Sequence, residues 1–421
     1  MKKIRITDST VSLCREPLAS PFGFKGAYIT ELWQAQATVR SDNFTFTVPS
    51  TQSVLWSDAN VFARLGAEKG DETMLALTKR ASELICGRTF ETPSEVTNSL
   101  VAPLSEYAHG LCGFDVKTTF VLNSLVGLDI ALWSVYAAEN GIQSFDGMIP
   151  DCAASAMSAK NSRLAQIPLL SYGVDEKGIK DVLDRGSAIL KIQIGAPGSK
   201  ESHEADMKGM LEADCARLSQ IHAIASRYET PLTKSGNVCY YLDANSRYDT
   251  KDRLAALLDY ADRHGILDRI AMLEEPFAEE SDINVTDLPV TVNADESAHS
   301  VADVKRRISQ GYRAIALKPI AKTMSVSFEM AAEAIKSGCA CFCADLTVNP
   351  YIALWNRLFA SHLPPLPVMN CGCVEINGDT NYKNWSTLLS ALPDGIVYTP
   401  AKNGAFDCSN DSEVFKKLTG R

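Results

Sequence analysis

The sequence predicts an α/β protein, a TIM-type (β/α)8 barrel preceded by a smaller α+β domain. Two observations lead there. From about residue 165 onward, short β-branched runs alternate with amphipathic helical stretches, and the runs number eight, at 167–172, 188–194, 239–244, 270–274, 290–294, 314–318, 340–344 and 367–370. Repeated strand–helix alternation requires a parallel sheet, and eight units close naturally into a barrel. An open doubly wound sheet would carry Gly-x-Gly-x-x-Gly after its first strand, and none is present.

Before the barrel, strand-like stretches at 27–40 and 44–48 are followed by helical segments near 58–86, 93–111 and 117–140, an α+β pattern. The boundary is expected near Ile149, Pro150 and Asp151, dividing the chain into domains 1–150 and 151–375. Between the barrel runs, helical patterns cover 250–264, 301–309, 325–336 and 350–362. Gly265, Gly311 and Gly338 serve as stop signals, because helices commonly end on a left-handed residue and glycine adopts that conformation without steric cost. Residues 376–421, rich in Asn, Asp and Gly, read as an irregular tail packing back on the two domains.

Composition narrows the function. With 46% hydrophobic and 22% charged residues, the chain is neither disordered nor fibrous. A net charge of -10 argues against nucleic acid, whose binders concentrate Lys and Arg. Lys2, Lys3 and Arg5 are not followed by the apolar run of a signal peptide, and no 18-residue apolar stretch is expected to span a membrane, so a cytoplasmic protein is anticipated. The 12 cysteines are scattered, unlike a disulfide scaffold, and read as reduced thiols. Cys339, Cys341 and Cys343 fall on one face of a strand, as small buried residues do, whereas thiolate metal sites favour C-x-x-C turns.

Catalytic groups of a barrel project from the C-terminal ends of its strands. Here those ends are charged: Lys191 and Gln193 on strand two, Asp243 and Asn245 on three, Glu274 and Glu275 on four, Asp295 and Glu296 on five, Lys318 on six, Asp345 on seven. Asp243, Glu274 and Asp295 stand at matching points of successive strands and should converge. Three carboxylates brought together repel one another unless a hard cation joins them, and oxygen-only ligation favours Mg2+ over zinc. Lys191 and Lys318 flank the trio, and a buried lysine near a cation can have a lowered pKa suited to a base.

The succession Leu-Lys-Ile-Gln, Leu-Asp-Ala-Asn, Leu-Glu-Glu-Pro, Ala-Asp-Glu-Ser and Leu-Lys-Pro, with Gly-Leu-Asp-Ile-Ala-Leu-Trp at 127–133, resembles the enolase superfamily. The likeness spans about 115–345 and is greatest to the muconate lactonizing enzyme and dipeptide epimerase branch of the mandelate racemase/muconate lactonizing enzyme family. It implies a (β/α)8 or (β/α)7β barrel under an α+β capping domain, whose loops near 20–25 and 50–56 close over the substrate. It also implies Asp243, Glu274 and Asp295 as Mg2+ ligands, with Asn245, Glu275 and Glu296 in supporting positions. Lys318 is implied as the acid/base.

Three departures stand out. Gln193 replaces the second lysine of the branch's Lys-x-Lys, and an amide cannot take a proton at neutral pH. The polar run 198–206 between strands two and three is expected to form an extra lid. Strand eight offers Asn370 and Gly372, not the paired aspartates of dipeptide epimerases.

The resulting expectation is a lyase or isomerase that removes a proton α to a small-molecule carboxylate, leading to β-elimination or cycloisomerisation, with a sugar acid as one candidate substrate. Lys191 would add positive charge beside the intermediate, and Asp345 would bond a carboxylate oxygen or protonate a leaving group. The alternatives are a racemase or epimerase of a carboxylic acid or amino-acid derivative, and a family member that only binds Mg2+ and a carboxylate. No nucleic-acid or membrane partner is expected, and a homo-oligomer is.

Overall fold

The computed structural model describes residues 2–24 and 27–420. Alternating burial along the first strands builds the N-terminal sheet. β1 (Ile4–Arg5) pairs with β5 (Thr89–Phe90), while β2 (Asp8–Phe24), β3 (Ala27–Arg40) and β4 (Thr45–Gln52) form an antiparallel meander. β2 was not anticipated: Pro17 and Pro21 interrupt a run of mixed polar and apolar residues, and its register with β3 shifts between Pro17 and Phe22. Residues 20–24 are therefore the end of a strand and not the expected loop, and Lys25 lies outside the described residues.

Short α1 (Val54–Ser57) and α2 (Ala59–Leu65) lead into α3 (Ala67–Ile85), α4 (Pro93–Cys112) and α5 (Thr118–Asn140). α5 packs against β3, β4, α3 and α4, and is apolar on nearly every side, as an enclosed helix must be. Among the described residues it is the one helix long and apolar enough to cross a membrane, contrary to the expectation that no such stretch occurs, and its apolar window is 100% buried within the protein.

After α6 (Asp151–Ala154) the barrel begins with β6 (Arg163–Ile167) and β7 (Leu169–Leu170). Pro168, which lacks an N–H, separates these two pieces of one strand: β6 pairs with β14 and β7 with β8. That division closes the ring. The remaining strands are β8 (Ile189–Gln193), β9 (Cys239–Asp243), β10 (Ile270–Glu274), β11 (Val292–Ala294), β12 (Ala314–Leu317), β13 (Ala340–Cys343) and β14 (Gly372–Glu375), each parallel to its neighbours. The helices between them are α7 (Glu176–Asp184), α8 (His203–Ala225), α9 (Lys251–Arg263), α10 (Val301–Ser309), α11 (Met324–Lys336) and α12 (Pro350–Ser361); none intervenes between β10 and β11 among the described residues. The stop glycines behave as expected, with φ of 66° at Gly265, 101° at Gly311 and 78° at Gly338.

The eighth strand differs from the sequence reading. Residues 367–370 approach the barrel floor, where Asn370 donates to the carbonyls of Pro231 and Thr233, and the strand starts only at Gly372. The tail is also more regular than expected: α13 (Gly378–Asn381), α14 (Trp385–Ser390), β15 (Ala405–Asp407) and α15 (Asp411–Leu418) follow, with β15 antiparallel to β6.

Polar groups join the N-terminal elements to the barrel. Asn349, at the start of α12, donates to Gln34 and to the Pro49 carbonyl at 2.8 Å. Asp129 on α5 accepts from the Met324 and Ser325 amides at the N-terminus of α11, at 2.8 and 3.2 Å, from Thr97 at 2.7 Å and from the Ser325 hydroxyl. Helix N-termini present unpaired donors and favour a carboxylate, although complete burial pushes the Asp129 carboxyl up.

Candidate functional site

Side chains entering the barrel follow the two-residue period of its strands. Low in the ring they are apolar, including Ile189, Cys239, Met272, Ala316 and Phe342. Towards the C-terminal ends they become charged: Lys191 and Gln193 on β8, Asp243 on β9, Glu274 on β10, and Lys318 and Asp345 just beyond β12 and β13. Asp243 and Glu274 are register partners, but the partner of Glu274 on β11 is Asn293. Asp295 thus sits two residues beyond the expected matching point, which Asn293 fills by donating to Glu274 at 2.7 Å.

Two lysines bridge the acids. Lys191 Nζ lies 3.0 Å from Asp243, 3.1 Å from Glu274 and 3.3 Å from Glu375. Lys318 Nζ lies 2.5 Å from Asp295, and Lys322 donates to the Asp295 carbonyl at 2.6 Å and meets its carboxylate at 3.2 Å. With ammonium groups between them, no three His, Cys, Asp or Glu side chains close around one point among the described residues.

The charges control one another. Burial works to drive the Lys191 ammonium down, but Asp243, Glu274 and Glu375 outweigh it and hold its pKa well up. Burial opposes the Lys318 charge similarly, and Asp295 and Glu296 reverse the effect. Burial also disfavours the Asp295 carboxylate, yet Lys318, Lys322 and Lys191 bring its pKa below the usual range. Glu274 is pushed up to about 7, chiefly by burial and then by Asp295, against the pull of Lys191 and Lys318. Asp345 also rises to about 7, through burial and the charge of Glu375.

Gln193 shares the inward face of Lys191 and donates to Asn245 at 3.3 Å; both amides line the cavity, as does Glu296. Glu275 does not. At φ 38° it turns outward, accepting from the Asp295 and Ser297 amides and the Ser297 hydroxyl, so that it fixes the backbone carrying Asp295. The run 198–206 forms no lid over the cavity. The Gly198 amide donates to Asp206 at the start of α8, and a side chain at 198 would collide with the α8 backbone at 2.3 Å. Asn370 is remote from the cavity lining, and Gly372 is the first residue of β14, so Glu375 is the strand-eight residue that reaches the charged cluster.

A cavity opens among these side chains at the C-terminal end of the barrel. Its far wall comes from the N-terminal elements: Leu18, Phe22, Ile29 and Leu32 on β2 and β3, with Leu55 and Trp56 on α1. The segment 53–56 thus reaches the site as expected. Trp56 lies over Lys318, with Nζ 4.4 Å from the ring centroid. The sequence reading missed Lys322, Glu375 and Asn293. Lys322 is one turn past Lys318, a spacing that could have drawn notice; Glu375 was hidden by the misplaced strand.

No family model and no curated protein matches the sequence. Solved structures do. A mandelate racemase/muconate lactonizing protein from Herpetosiphon aurantiacus superposes with a TM-score of 0.68 at 16% identity, over 96% of this chain and 95% of that one. This chain shares that fold. A muconate lactonizing enzyme from Pseudomonas fluorescens, complexed with muconolactone, gives 0.67 at 17% identity over 96% and 94%. A dipeptide epimerase from Enterococcus faecalis, complexed with Mg and L-Leu-L-Tyr, gives 0.63 at 14% over 95% and 99%. The shared fold thus extends across nearly the whole chain, N-terminal sheet and barrel alike.

Proposed function

We propose that the protein is a Mg2+-dependent enzyme that removes the proton α to a substrate carboxylate. One observation carries the reading: Asp243 and Asp295 line one barrel cavity with Lys191 and Lys318, and Glu274, on the strand between them, contacts Lys191. Residues 1–150 act as a cap, 151–375 as the catalytic barrel, and 376–421 as a segment tied to both.

Asp243, Glu274 and Asp295 fit a hard divalent cation, because they are all-oxygen donors and the cluster holds more carboxylates than ammonium groups. Glu274 is driven up to about 7 chiefly by burial, with the charge of Asp295 adding to it, despite Lys191 beside it. Mg2+ bound there would make the α-proton more acidic by drawing charge from the substrate carboxylate. With Asp295 engaged as a ligand, burial becomes the larger influence on Lys318, and its amine can take the proton. Lys191, held charged by its neighbours, stabilises the negative charge that develops. Gln193 orients the substrate but moves no proton. Asp345 keeps a proton near neutral pH and can pass it to a leaving group.

This division of labour supports one-base chemistry: β-elimination or cycloisomerisation rather than two-base racemisation. The test is exchange of α-protons in deuterium oxide across a library of carboxylic acids with Mg2+. Lys318→Ala should slow exchange of an active acid by about 10²–10⁴-fold. Exchange at the wild-type rate in that variant would show that the base lies elsewhere, and binding of acids without any exchange would identify a binding protein.

A further inference from the structure

Acid chemistry and apolar wall occupy opposite sides of the cavity. Among the described residues, every charged group lining it comes from the C-terminal ends of the barrel strands. The N-terminal elements contribute Leu18, Phe22, Ile29, Leu32, Leu55 and Trp56, and among the described residues Ser53 is their one polar contribution to the lining. A substrate anchored by its carboxylate at the strand ends therefore extends its other end into aliphatic and aromatic surface.

The neutral polar groups nearby lie on the barrel side of the cavity, and several already have one partner. Gln193 donates to Asn245, Asn377 donates to Glu375 at 3.0 Å, and Asn381 donates to Thr347 at 2.8 Å. Lys191 and Lys318 are engaged by the acids of the cluster. Among the described residues this wall offers one polar side chain, Ser53, and no cation, so a polyhydroxy chain or a second carboxylate buried against it would lack partners, which is costly when water is excluded.

We infer that the substrate is a monocarboxylic acid with a bulky apolar tail, the tail seated between the β2–β3 hairpin and α1. The inference rests on the proposed Mg2+–carboxylate reading and replaces the sugar acid considered from sequence. Ile29 and Phe22 are partly exposed, so a charge placed there can reach the cavity without entering the cap's core.

The test is calorimetric titration of the full chain, saturated with Mg2+, using 4-phenylbutanoate, adipate and gluconate. 4-Phenylbutanoate should bind at least about tenfold more tightly than either of the others, because only its far end gains from apolar burial. Ile29→Lys should erase that preference by weakening the phenyl acid and strengthening adipate, and Phe22→Lys provides the same test should the first variant fail to fold. Adipate or gluconate binding as tightly as the phenyl acid would overturn the inference, as would failure of all three acids on a chain that binds Mg2+. Failure of Mg2+ itself to bind would overturn the reading beneath it.

Discussion

Asp129 joins α5 to the N-terminus of α11, and replacing it tests how much of the protein's stability passes through one buried carboxyl. In Asp129→Ala the Met324 and Ser325 amides lose their acceptor in a site closed to water. The Thr97 and Ser325 hydroxyls can rotate towards other partners, and Ser325 keeps the bond it receives from Trp133 at 3.0 Å. Two stranded amides at about 1–3 kcal/mol each, with the lost helix-end interaction, set the expected loss at about 3–5 kcal/mol. Asp129→Asn should cost only about 1 kcal/mol, since its carbonyl can still accept from both amides while its NH2 turns to the hydroxyls. Urea unfolding followed by circular dichroism measures both variants. A loss below about 1 kcal/mol for alanine, or equal losses for alanine and asparagine, would refute the account.

Three other outcomes follow from the site and its surroundings. Asp295→Asn should lose most of its Mg2+ affinity in a calorimetric titration; unchanged affinity would remove the proposed ligand set. In deuterium oxide an active acid should exchange its α-proton from one enantiomer only, and Gln193→Lys should introduce epimerisation, because Gln193 faces the cavity beside Lys191 without a titratable proton. Rapid wild-type exchange of both enantiomers, followed by chiral chromatography, would indicate a second base. Asp214, buried and bonded to the Gly195 amide and Tyr248, is pushed up to about 6 by burial. The folded state therefore holds that proton more tightly than the unfolded chain, and its contribution, full below pH 3.8, fades as pH rises to about 6. Relative to wild type, Asp214→Asn should gain stability across that window by at most about 3 kcal/mol; a flat difference would contradict the assignment.

The barrel was legible because its strands are short β-branched runs between helices ending on glycine. The 270–274 run and the 301–309 helix match the observed elements. β2 escaped notice since it is held by pairing with β3 and not by an apolar pattern of its own, with two prolines within it. β14 was misplaced because Pro367–Val368–Met369 looks more strand-like than Gly-Cys-Val-Glu, whose strand character comes from pairing with β6. That slip carried Glu375 out of the predicted site. Charged strand ends revealed the acids and Lys318, because the barrel aims alternate residues inward. The apolar wall was not legible: it depends on how the β2–β3 hairpin lies over a barrel encoded far along the chain. Cys341 and Cys343 are buried free thiols, in keeping with their reading as small strand residues.

The placement of Trp56 has an optical consequence. Of the chain's five tryptophans it is the one lining the cavity among the described residues, while Trp133 and Trp355 are sealed in the core. Its indole faces the Lys318 ammonium, so its excited state responds to that charge and to whatever displaces water beside it. The protein thus carries its own chromophore at the mouth of the barrel, and a Trp56→Phe control separates that emission from that of the other four.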